Sequence, residues 1–68
     1  MNEMNEWYVV SLTDATGRSY AASKHDWFNR AIQEANKWLK SDYTTIEVVQ
    51  QPQNIVLWQN GRVVQQYY

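Results

Sequence analysis

The chain of 68 residues has no cysteine, one histidine, one proline and two glycines. Without cysteine there are no disulfides and no thiolate chemistry. With His25 as the sole imidazole, a zinc site has no ligand set, and no metal or other cofactor is expected. Net charge is scarce: six basic and seven acidic residues give −1, which argues against duplex DNA, a ligand held mainly by phosphate neutralisation. No run approaches the roughly 20 apolar residues that span a bilayer. Residues 1–6, Met-Asn-Glu repeated twice, offer neither the basic region nor the apolar stretch of a signal peptide, so the expected location is cytoplasmic. This segment is expected to be flexible, with residues 7–68 forming a single domain.

Against these absences stand four tryptophans, five tyrosines and one phenylalanine, together with seven glutamines and six asparagines. A domain of this size buries only about 60% of its unfolded surface. Aromatic side chains are large and are enriched at interfaces. The expectation is that the interior is too small for all of them, and that an amide-rich surface meets a partner.

Hydrophobic periodicity predicts an α+β fold, a small antiparallel β-sheet with one α-helix on one face, in the order β-β-α-β-β-β. The first strand is Trp7 to Leu12 and the second Arg18 to Ala22, joined by a turn from Thr13 to Gly17 that sets Leu12 opposite Tyr20 and Val10 opposite Ala22. Ser23 reads as a helix N-cap, Asp26 completes a capping box, and Ala22 with Trp27 forms a small staple. Phe28, Ala31, Ile32, Ala35 and Leu39 then recur on one helical stripe as far as Lys40. Thr44 to Gln50 and Ile55 to Gln59 are the third and fourth strands, separated by Gln51-Pro52-Gln53-Asn54. Asn60-Gly61 predicts a type I′ turn into a fifth strand, Arg62 to Tyr67.

Strict alternation from that turn places Ile55, Leu57 and Val64 on one face and Val56, Trp58, Val63 and Tyr67 on the other. One helix covers one face, so Trp7, Val9, Val56, Trp58, Val63 and Tyr67 are predicted to form an uncovered protein-binding surface. Trp27 and Trp38, on one flank of the helix with Ala31 between them, are secondary interaction candidates.

No catalytic residues are assigned. His25 and Asp26 are adjacent and would diverge on a helix, and Asp14, Glu34, Asp42 and Glu47 are scattered. The expectation is a non-enzymatic interaction module, a homodimer joined through the uncovered sheet face. A phage- or mobile-element-type regulator or inhibitor docking on a host protein is the alternative. Single-stranded nucleic acid stacked on sheet aromatics, with Arg30, Lys37 and Lys40 as the basic stripe, ranks lower. Carbohydrate stacking ranks lower still.

Overall fold

The computed structural model describes residues 6–65. Five strands form one antiparallel sheet: β1 (Trp7–Thr13), β2 (Ser19–His25), β3 (Thr45–Gln51), β4 (Ile55–Gln59) and β5 (Arg62–Val63), in spatial order β2-β1-β3-β4-β5. The helix α1 (Phe28–Lys37) ends in a 3₁₀ turn, Trp38–Lys40, and lies over β1, β2 and β3. Element order agrees with the sequence reading, although β5 is short.

The β1–β2 connection is built around one side chain. Asp14 Oδ1 accepts from the Thr16 amide (2.9 Å), the Thr16 hydroxyl (2.6 Å) and the Arg18 amide (3.1 Å), and Oδ2 accepts from the Tyr20 hydroxyl (3.2 Å). These bonds, the Thr16 hydroxyl foremost, hold the Asp14 carboxyl below the usual carboxylate range. Gly17, at φ +92°, supplies the left-handed residue that closes the turn.

Leu12 pairs with Tyr20 as expected, but Val10 pairs with Ser23 instead of Ala22. A β-bulge between Val10 and Ser11 leaves Ala22 as the extra residue and carries β2 on to His25. The predicted cap is therefore displaced. Ser23, Lys24 and His25 pair with Val10, Val9 and Tyr8, and the Ser23 hydroxyl is engaged with His25 Nε2 at 2.8 Å. Cross-strand pairing outweighs a local capping signal worth about 1 kcal/mol. The actual N-cap is Trp27, at φ −125° and ψ 138°, with no side-chain capping bond.

Asp and Ser cap helices far better than Trp, and the Trp27 side chain is largely in solvent. Trp27→Asp is therefore expected to stabilise the fold by about 1 kcal/mol. A thermal melt should rise by about 4–8 °C; an unchanged or lower midpoint would contradict this account of the helix start.

On the covered side of the sheet, Tyr8, Val10 and Leu12 of β1 lie beside Gln50, Val48 and Ile46 of β3. Ala31 and Ala35, one turn apart and fully buried, let α1 approach closely, while Phe28, Ile32, Trp38 and Tyr43 pack around this core. Phe28 meets the Tyr8 ring at 5.8 Å, and Trp38 meets Tyr43 edge-on at 5.8 Å. Leu39, expected to complete the helical stripe, instead lies in the 3₁₀ turn and is exposed. Tightening of the last turn rotates it out of the stripe.

β4 carries the largest departure from strict alternation. Val48 pairs with Trp58 and Val49 with Val56, so Leu57 is an extra residue bulged into β4. Leu57 and Trp58 both join the core under the helix side, and Trp58 is only 3% exposed. The Asn60-Gly61 turn forms as predicted, both residues having positive φ (49° and 97°), with Gln59 opposite Arg62 and Trp58 opposite Val63. β5 then leaves the ladder: the amides of Val64 and Gln65 both point at the Leu57 carbonyl (2.9 and 3.4 Å). The predicted continuation of this strand to Tyr67 runs beyond the described residues.

Candidate protein-interaction face

Among the described residues no helix lies over the side of the sheet away from α1. The register places there Trp7, Val9, Ser11 and Thr13 of β1, with Lys24 of β2 beside Val9. Glu47, Val49 and Gln51 of β3 follow, then Val56 and Gln59 of β4. Lys24, Val9, Val49 and Val56 form one continuous cross-strand row.

Val49 is 7% exposed yet stands apart from the core cluster beneath the helix; its neighbours in the row are Val9 and Val56. Trp7 flanks the row on one side, and Lys24 Nζ lies 5.0 Å from the centroid of its ring, a cation–π contact. On the other side of the row, Gln59 Nε2 donates to Glu47 Oε2 at 2.8 Å. A small apolar strip is thus bordered by an aromatic ring, one cation and one carboxylate. That pattern, an apolar centre with a polar rim, is characteristic of protein interfaces.

Of the six residues expected on this surface, the register keeps Trp7, Val9 and Val56 together. Trp58 is removed from it by the bulge and is core. Val63, paired with Trp58, lies on the helix side of the sheet, where it is 57% exposed. Tyr67 lies outside the described residues. Val49 and Glu47 were missed by the sequence reading. The signal for Val49 was the adjacent pair Val48-Val49 in a strand otherwise read by alternation, which implies that both sides of β3 are apolar.

The two helix-flank tryptophans are not a pair. Trp38 is half-buried in the 3₁₀ turn against Tyr43, and its indole Nε1 is buried without a hydrogen-bond partner. Trp27 is 69% exposed at the helix start, the most exposed of the large apolar side chains among the described residues. The basic stripe is also divided: Lys37 Nζ lies 3.5 Å from Glu34 Oε1. Arg30, Lys37 and Lys40 belong to α1 and its 3₁₀ extension, across the sheet from Trp7.

Among the described residues no three His, Asp or Glu side chains are grouped as a metal site. His25 closes β2, half-buried, instead of standing in a first helical turn. No helix among the described residues is long and apolar enough to cross a membrane. No protein-family model matches the chain, and no curated protein or solved structure is significantly similar to it.

Proposed function

We propose that this chain is a non-catalytic protein-interaction module that self-associates through the open face of its sheet. The observation that carries this reading is the row Val9–Val49–Val56, with Trp7 beside it, on the side that no helix among the described residues covers. Packing two such faces together would take the half-buried Val9, Val56 and Trp7 further out of water, around a Val49 that is already buried. Each large apolar side chain fully buried contributes roughly 1.5–3 kcal/mol, a substantial share of the stability of a domain this small. A net charge of −1 leaves little electrostatic opposition to like copies meeting.

Sedimentation equilibrium tests this directly. The chain should approach twice its 8.1 kDa mass as concentration rises, and Val56→Lys should return it to monomer with its fold retained. A wild-type chain that stays monomeric at millimolar concentration would refute self-association. A dimer indifferent to Val56→Lys would move the contact to another surface.

Docking on a different protein is the second reading, favoured by Trp27, whose exposed indole at a bare helix start resembles an interface anchor. Nucleic-acid stacking has less support, because the basic residues Arg30, Lys37 and Lys40 and the aromatic Trp7 lie on opposite sides of the sheet.

A further inference from the structure

Two charged side chains, Lys24 and Glu47, border the apolar row of the open face. Lys24 stands in the row itself, beside Val9; Glu47 stands one same-face position further along, beside Ser11. Between them lies the whole of β1, and among the described residues neither has an opposite charge within ion-pairing distance. Any partner that covers Val9 and Val49 also takes water from both charges. A charge desolvated without a counter-charge opposes association strongly. The face therefore needs a partner that presents a carboxylate near Lys24 and a cation near Glu47, and a second copy of the same face supplies both.

We infer that the module forms a twofold dimer in which Lys24 of each copy meets Glu47 of the other. This rests on the self-association proposed above and adds its geometry. For same-face residues spaced about 4.8 Å between strands and about 6.8 Å along them, the dyad that exchanges Lys24 and Glu47 is determined. It crosses β1 midway between Val9 and Ser11 and runs between Val9 and Val49, about 2 Å from each on those spacings.

The same operation carries Trp7 onto Val56 of the other copy, although neither residue was used to place the axis. One dyad thus satisfies both charges, centres the valines and caps each indole with a valine. Arg62, beyond Gln59 on β5, falls outside the overlap and stays in solvent. The strands of the two sheets cross at about 70°, nearer the orthogonal class of sheet packing than the aligned one.

Charge reversal tests the pairing. Lys24→Glu and Glu47→Lys are each expected to weaken dimerisation at least about tenfold, because each sets like charges face to face twice per dimer. Mixing the two single variants should restore association as a heterodimer, and the double variant K24E/E47K should recover the homodimer. Circular dichroism on each variant, and the mixing result itself, separate lost pairing from lost folding.

Single variants that dimerise like the wild type, or a mixture that stays monomeric, would overturn this geometry while leaving self-association standing. A monomeric wild type would overturn both.

Discussion

Trp58→Ala is expected to lower stability by about 3–5 kcal/mol, the range for deleting a large aromatic side chain from a core. For a chain of this size that is most or all of the folding free energy, so the variant should be largely unfolded at room temperature. The reason is the bulge at Leu57, which turns Trp58 onto the helix side, where it packs with Val10, Val48 and Leu57 in one cluster. Val63→Ala is the control. Val63 is the direct cross-strand partner of Trp58 in the hairpin but is exposed, and its truncation should change stability by about 0.5 kcal/mol or less. Urea titration followed by far-UV circular dichroism compares the two. With a slope of about 1 kcal/mol per molar for a small domain, the Trp58 variant should lose its transition, while the Val63 variant keeps a midpoint within about 0.5 M of wild type. A folded Trp58→Ala with a near-native midpoint would mean that the indole stands outside the core.

The second large effect is expected at Asn60. Its backbone occupies the left-handed region at φ 49°, and its amide donates to the Ile46 carbonyl at 2.9 Å. Its side chain reaches across to β3 as well: Oδ1 accepts from the Ile46 amide at 2.8 Å, and Nδ2 donates to the Thr44 carbonyl at 3.5 Å. Asn60 thereby extends the β3–β4 ladder one step past Glu47 and Gln59 using side-chain atoms. Asn60→Ala removes the bond to Ile46, leaving a part-buried donor unsatisfied at about 1–3 kcal/mol. It also gives up the short polar side chain that lets asparagine occupy the left-handed region more readily than alanine. Asn60→Gly keeps the turn and loses only the side-chain bonds; Asn60→Asp keeps the acceptor. The expected order of destabilisation is Ala, then Gly, then Asp, read from thermal midpoints. An Asn60→Gly variant as stable as the wild type would show that the bond to Ile46 contributes nothing.

The same dipeptide marks how far the sequence could be read. Asn60-Gly61 is a strong local signal with a narrow set of backbone solutions, and the turn and its first two pairs formed as expected. The five strands, their antiparallel order and the helix were likewise legible from periodicity. Which way the β4 side chains face was not. Ile55-Val56-Leu57-Trp58 is an unbroken apolar run, so nothing in it distinguishes a regular strand from one with an inserted residue. The bulge at Leu57 reverses the assignment of Trp58 relative to Val56. Ala22 plays a comparable part in β2, where the extra residue let the strand run past a serine with good capping chemistry. In both strands the deciding interaction is a long-range pairing, with Val48 in one and with Val9 and Tyr8 in the other, and short-range pattern does not contain it. Trp7 and Val9 share a side by alternation along β1 alone, whereas Val56 joins them through its pairing with Val49, across the bulge from the turn.

The two strands that border the sheet have a consequence for how copies can add to one another. β2 is interrupted at Ala22 and carries Lys24 and His25 at its far end, and β5 offers only two residues before the chain departs. Among the described residues an incoming strand finds a broken hydrogen-bonding row on one border and a two-residue strand on the other, features that keep natural sheets from growing sideways. Lateral addition would generate an open-ended fibre, whereas a twofold contact between faces closes after two copies. For the self-association proposed above, such blunt borders favour a closed pair over a filament.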